Sequence, residues 1–339
     1  VALADYAGTW QTSNVTVSPN GSELIGGINA DVTLNTEGQS VTFVYIDGTQ
    51  GWVNVLDSTS NVRGASYITA TVSGTCNAIT TSGDFKIATF KNPGTFCVSQ
   101  ISNTPANNEV SYIVVAGGGA GGRSCAAGGG GAGGFRESKS PVDTYTASPI
   151  EGSCAVTVSC SPGAYPIAVG GGGAGAAPNP TPVYLTGAAG AVSTFSSITS
   201  AGGGTGGAAP KCGGDGGSGG GSGHNAGTKG NGNVPPVSPA QGKDGAVSAP
   251  GVGPASPSDN GGGGGGATTD AVAAPVGLQG GTGATTSINA TPTAYAGGGG
   301  GSNRDGGTAP YVAGGTGGGG RGGVGARPAP EGESEGVDG

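Results

Sequence analysis

EVSYIVVAGGGAGG, residues 109–122, decides the fold. Its first half reads as a buried β-strand, a short apolar run rich in β-branched residues, and it passes directly into a tract of nearly pure glycine. Strand and glycine tract therefore form one structural unit, with no domain boundary between them. The same arrangement returns in AYPIAVGGGGAG (164–175) and AVSTFSSITSAGGGTGG (191–207). Beyond about residue 201 the chain becomes glycine runs, among them GGGGGG (261–266) and GGGGG (297–301), separated by loops of Pro, Ala, Thr and Asn.

Such composition usually marks a disordered linker. Here the runs are pure and of similar length, Gly-Ser alternation is scarce, and Ile198, Ile288, Tyr295, Tyr311 and Val312 punctuate the loops where a core could anchor them. The ordered alternative is a bundle of polyglycine II helices, threefold helices of polyproline II geometry in which a run of six spans about 19 Å. With no Cβ on any face, such helices pack side by side and bond N–H to neighbouring carbonyls. A collagen repeat is excluded, because GKDGAVSAPGVG (242–253) breaks the three-residue period.

Glycine placement divides the chain. Only 11 of the 80 glycines lie in the first 115 residues, which hold both tryptophans, Trp10 and Trp52, and four of the six phenylalanines. That part can build a conventional small core. In VTVSPNGSELIGG (15–27) the pair Asn20-Gly21 predicts a tight type I′ hairpin. Val32, Leu34, Val41, Phe43 and Tyr45 then alternate onto one face, with turns at Glu37-Gly38 and Asp47-Gly48. The expected domains are a small antiparallel β module over 1–57, a linker over 58–66, and strands interleaved with glycine helices over 67–339. The fold class is all-β: the module plus a β-sandwich with an inserted polyglycine II helix bundle, and essentially no α-helix.

The chemistry that the sequence excludes is broad. A net charge of −8 without a Lys/Arg cluster argues against a nucleic-acid partner. No apolar run reaches 18 residues, so membrane insertion is not expected. Val1 in place of methionine suggests a processed chain or a fragment. The glycine-rich stretches contain many G-x-G-x-x-G matches, but none follows a strand and opens a helix in a βαβ unit. Six cysteines (Cys76, Cys97, Cys125, Cys154, Cys160, Cys212) include no C-x-x-C pair and stand with one histidine, so a structural zinc is not expected; Asp-rich loops leave room for calcium without demanding it, and no metal or cofactor is assigned. Cys154 and Cys160, read as one strand, would share a face about 20 Å apart, too far to bridge. His224, in GSGHNAG, reads as a loop residue rather than a triad member. The expectation is a protein that is not an enzyme, with no catalytic residue.

NGSELIGGINADVTLNTEGQSVTFVYIDGTQGWVNV (20–55) resembles a small β module repeated in virion structural proteins and fibres of tailed phages, with the pattern R-N-G-S-x-I-x-G, a strand, then L-V-Y-V-D-x-x-x-G-W. Asn20, Gly21, Ser22, Gly26, Phe43, Val44, Tyr45, Asp47, Gly51 and Trp52 match, and Pro19 stands where the pattern has a basic residue. Residues 79–101, 109–122 and 128–135 are similar to the glycine-rich terminal domain of such fibres, and more distantly to the glycine-rich domain of the anaplastic lymphoma kinase receptor family. In long-tail-fibre adhesins of this kind, loops joining polyglycine helices touch the host receptor.

The resemblance implies a non-catalytic virion fibre or adhesin segment, extracellular on a tail fibre or other appendage. Its partners would be other virion proteins and a bacterial surface glycan or outer-membrane protein, and symmetric fibres favour a homotrimer. The alternative is a purely structural virion protein, a capsid decoration or inter-subunit fibre that binds no host receptor. Tyr184, His224, Arg304 and Tyr311 are the candidate receptor contacts, because aromatic residues and arginine dominate binding hot spots.

Overall fold

A computed structural model describes residues 1–58, 66–124, 126–153, 155–176, 185–248, 260–272, 278–303 and 311–323. The chain separates into two compact units, Val1–Ser66 and Tyr67–Gly339. Among the described residues there is no α-helix, and the strands form several small antiparallel sheets.

In the first unit β1 (Ala2–Ala4), β4 (Ser40–Asp47) and β5 (Gly51–Asp57) make one sheet in the order β1-β4-β5, while β2 (Val15–Val17) and β3 (Val32–Leu34) make a second ladder. Leu34, Val41 and Phe43 are buried between them, flanked by Leu3, Trp10, Ile25 and Trp52. The carboxylate of Asp5 ties the loops together, accepting the N–H groups of Thr9 (3.0 Å), Trp10 (3.1 Å) and Gly38 (2.9 Å).

The Asn20-Gly21 hairpin does not form. β2 pairs with β3, Val17 opposite Val32, so the connection is far longer than two residues. Gly21 has φ +61° but Asn20 is not left-handed, whereas a type I′ turn needs both. The cause lies downstream, where Leu24–Gly26 spends its backbone on β5 instead of β2. The Trp52 N–H donates to the Leu24 carbonyl at 2.7 Å, and Gly26 N–H donates to the Trp52 carbonyl at 2.8 Å. Tyr45 also departs from the reading. The ladder shifts register between Tyr45 and Asp47, and Tyr45 lies exposed with its ring edge-on to Trp52. The turn at Asp47-Gly48 is present, closed by Asp47 Oδ1 accepting the N–H groups of Thr49 and Gln50 at 2.8 Å each. Of the 58–66 linker, residues 59–65 lie outside the described residues.

The second unit contains β6 (Thr69–Val72), β7 (Ala78–Ser82), β8 (Phe85–Thr89), β9 (Gly94–Gln100), β10 (Glu109–Val110), β11 (Tyr112–Val115), β12 (Phe135–Ser138), β13 (Val156–Thr157), β14 (Ala164–Ala168), β15 (Ser193–Phe195), β16 (Ile198–Ser200), β17 (Ala284–Thr286) and β18 (Thr293–Tyr295). One layer is a five-stranded sheet in the order β16-β15-β14-β9-β6. Against it packs a second layer carrying the β11–β12 and β10–β13 ladders, through Tyr112, Val114, Phe195, Phe96 and Tyr165. The rings of Phe96, Tyr112 and Tyr165 each meet Phe195, at centroid distances of 6.0–6.5 Å.

Glycine rods grow from the ends of these strands without a break in register. In the β11–β12 ladder Val115 lies opposite Phe135; beyond it Ala116 donates to Gly134, Gly119 to Gly131 and Gly122 to Gly128. The β14–β15 ladder continues as Ala191 to Gly171 and Ala188 to Ala174, and the β17–β18 ladder as Gly298 to Gly281 and Gly301 to Leu278. Bonds recur at every third residue, as a threefold helix requires. The rods are thus the polyglycine II helices expected from sequence.

Rod 128–134 is central and fully buried. Its N–H groups reach rods 201–207 and 262–265, and its carbonyls accept from rods 116–122, 218–224 and 299–302. None of the glycines at 117–134, 202–223, 261–266 or 297–301 has positive φ, so conformational freedom is not why they are glycine. The reason is space: a Cβ on Gly128, Gly130, Gly204 or Gly264 would stand within 2.0 Å of a neighbouring rod's carbonyl oxygen.

Two features of this unit escape a sequence reading. The β17–β18 hairpin lies where only glycine runs and loops were expected, and it contributes Ala284 and Tyr295 to an apolar cluster with Ala132 and Phe135. Cys154 lies outside the described residues, and Cys160 is not on a strand. It is an exposed free thiol in a turn after β13, so the shared-face argument does not apply.

Candidate functional site

The rod connectivity gives the bundle two distinct ends. At one end rods join strands, at Ala116, Gly134, Ala201, Ala284 and Ala296. At the other they turn back through loops, and no strand of the described residues lies there. Hydrogen bonds follow this free end from rod to rod. His224 N–H donates to Ala126, Ser302 to Ala127, Asn303 to Gly323, and Gly322 to Val312, all at 2.8–3.0 Å. His224 and Tyr311, far apart in sequence, therefore share the free end.

His224 is half-buried where rod 218–224 ends, and the next residue, Asn225, takes φ +59° to turn the chain. Beside it Asn225, Ala226, Gly227, Val247 and Ser248 line a depression of about 370 Å³. Tyr311 is 42% exposed, and the Arg321 guanidinium carbon lies 4.4 Å from its ring centroid. This stacked pair supplies a flat aromatic face and a cation together. Arg321 carries no apolar signal in GGTGGGGRGG and was not a candidate from sequence. Tyr184 and Arg304 lie outside the described residues. Arg123, Lys211 and Arg321 lie toward the free end, and Lys229, in the turn that follows His224, pairs with Asp244 at 3.0 Å. Acidic Asp215 belongs to the opposite turn, where it accepts from Asn231.

The matched motif of the first unit resolves into structural duties. Gly21, Gly26 and Gly51 have φ of +61°, +59° and +67°. A Cβ on Gly51 would stand 1.9 Å from the Leu24 carbonyl oxygen. Trp52 Nε1 donates to Glu23 at 3.0 Å, and Asp47 closes its own turn. Among the described residues, no group of three His, Cys, Asp or Glu side chains comes together to hold a metal ion.

The arrangement is that of an all-β scaffold carrying a glycine-helix bundle with a loop-bearing free end. The sequence profile of a glycine-rich domain matches residues 89–339, and the chain belongs to that glycine-rich domain family. No curated protein and no solved structure matches the chain.

Proposed function

We propose that this chain is a non-catalytic virion fibre or adhesin segment of a tailed phage, and that the free end of its glycine bundle contacts the bacterial host surface. One observation carries the reading: the rods run from the strands to an end where no strand of the described residues lies, and His224 and the stacked Tyr311–Arg321 pair both sit at that end. Rigid rods hold such loops in place, and loops on a rigid scaffold are where binding concentrates. The partner is a surface glycan or outer-membrane protein, engaged through many copies of weak contacts. A homotrimeric fibre supplies those copies.

A second reading, a structural virion protein that binds no host receptor, is favoured by a different surface. On the outer face of the first unit's sheet Val44, Ile46 and Leu56 are exposed, an apolar patch suited to packing against other virion proteins. Immunogold electron microscopy of intact particles separates the two. Label at a tail tip is the expected result, and label on the capsid supports the second reading. Purified protein incubated with host-envelope glycan should release no sugar fragments; turnover overturns the non-catalytic reading.

A further inference from the structure

In residues 135–150, FRESKSPVDTYTASPI, the polar Glu137, Ser138, Ser140 and Ser148 are buried. Ser140 Oγ and Ser148 Oγ are both buried and have no hydrogen-bond partner. Ser140 is fully enclosed and Ser148 is 4% exposed. Buried hydroxyls are normally satisfied, so two orphans within nine residues require an explanation.

The backbone of both serines is tied to carboxylates, Ser148 directly to Glu137 and Ser140 through Ser111 to Asp143. Glu137, 3% exposed, accepts the Ser148 N–H at 2.9 Å and the Thr286 hydroxyl at 2.6 Å. Asp143 accepts the hydroxyl of Ser111, whose oxygen in turn accepts the Ser140 N–H at 2.8 Å. The Tyr145 phenol faces both Glu137 and Ser111, whose hydroxyl is bonded to Asp143, and so stands between the two carboxylates. Glu151 adds negative potential from further out. Lys139 turns its charge to the face of the Tyr145 ring, 5.5 Å from the centroid.

A buried carboxylate with only neutral donors is costly, and hydroxyls do not neutralise it. The available ligands are all oxygen, which selects a hard cation over zinc or copper. Two carboxylates balance a divalent charge. Hydroxyls at irregular positions suit calcium, with its flexible shell of 6–8 oxygens, better than magnesium, which demands a near-ideal octahedron. We propose that Glu137, Asp143 and the hydroxyls of Ser140, Tyr145 and Ser148 form a buried calcium site. It fastens the 139–152 segment to β12 and, through Thr286, to the β17–β18 hairpin.

The test is calorimetric titration of chelator-treated full chain with calcium chloride, together with its melting temperature. The expected result is one calcium per chain and a Tm raised by several degrees, as binding to the folded state requires. Glu137→Gln and Asp143→Asn should each weaken calcium affinity by about tenfold or more, because charge count sets affinity. Should either fail to fold, the Ser140→Ala/Ser148→Ala double variant should fold and bind calcium several-fold more weakly. No binding heat with an unchanged Tm would mean that water satisfies these hydroxyls, and the proposal would be overturned. Calcium binding that the folded variants leave undiminished would overturn it equally.

Discussion

A Cβ placed on Gly130 would stand 1.9 Å from the carbonyl oxygen of Gly119 on the adjoining rod. The atoms it meets, in Gly119 and Ala120, are all backbone, which leaves nothing flexible to yield. Gly130→Ala should therefore destabilise the second unit by at least the roughly 1–3 kcal/mol typical of overpacking. Gly171 is the control, since a Cβ there meets nothing within 4 Å and its φ is not positive. Gly171→Ala should be neutral or stabilising by about 0.4–1 kcal/mol, through the unfolded chain. Urea denaturation of both variants decides the matter; equal stabilities would show that the rods are not packed. Gly299 is a gentler site than Gly263, with nearest backbone atoms 3.2 Å and 2.4 Å from the added carbon. Valine at Gly263 should accordingly cost more than valine at Gly299.

The first unit has its own steric keystone. Gly51 combines φ +67° with a Leu24 carbonyl oxygen 1.9 Å from any added Cβ. The same carbonyl receives the Trp52 N–H, so displacing it removes that bond as well. Gly51→Ala should lower stability by about 2 kcal/mol or more, from left-handed strain together with the lost contact. Trp52 fluorescence should shift toward that of a solvated indole. Wild-type denaturation midpoint and emission in this variant would refute the assignment.

How much of this was legible in the sequence depends on what each signal measures. EVSYIVVAGGGAGG showed that strand and glycine helix are continuous, because periodicity and composition change within one uninterrupted run. The threefold bonding could be foreseen, since only glycine tolerates it. The common register of ladder and rods could not, because it depends on partners such as Gly134 and Gly171 that local pattern does not pair. Asn20-Gly21 was a sound turn signal overridden by a tertiary contact, that of Leu24 with Trp52. The β17–β18 hairpin, with strands of three residues, is too short for alternation to register. His224 and Tyr311 were chosen by residue type, and their shared end follows from the rod directions. Arg321 and the buried hydroxyls around Glu137 were hidden, because burial of a polar segment leaves no periodic trace.

Asp5 predicts an acid sensitivity. Desolvation opposes its ionisation, but the N–H groups of Thr9, Trp10, Gly38 and Gly8 outweigh it and hold the carboxyl below its ordinary value of 3.8. A depressed folded-state pKa contributes stability above the unfolded value and loses it as pH falls through the folded one. The first unit should therefore hold its full Asp5 contribution at pH 5–7 and lose it progressively below about pH 3.8. Asp5→Asn should flatten that acid limb when Trp10 and Trp52 emission is followed during denaturation at each pH. An unchanged limb would remove Asp5 from the explanation.

The Tyr311–Arg321 pair offers the most direct test of the free end as a contact surface. Its guanidinium lies 4.4 Å from the ring centroid, so each side chain fixes the other before any partner arrives. At an exposed site this stacking is worth only about 0.5–1 kcal/mol, so neither alanine variant should change the melting temperature measurably. Preorganised tyrosine and arginine are, by contrast, common binding anchors whose truncation costs about 2 kcal/mol or more. Tyr311→Ala and Arg321→Ala should then each reduce adsorption of purified chain to host cells by about tenfold or more. Arg321→Lys should recover little, because a lysine ammonium keeps the charge and loses the planar stack. His224→Ala, acting at the same end but outside the stack, should weaken adsorption additively with Arg321→Ala if the two contact the receptor independently. Adsorption unaffected by all four substitutions would assign host contact to another surface and turn attention to the apolar face around Val44 and Leu56.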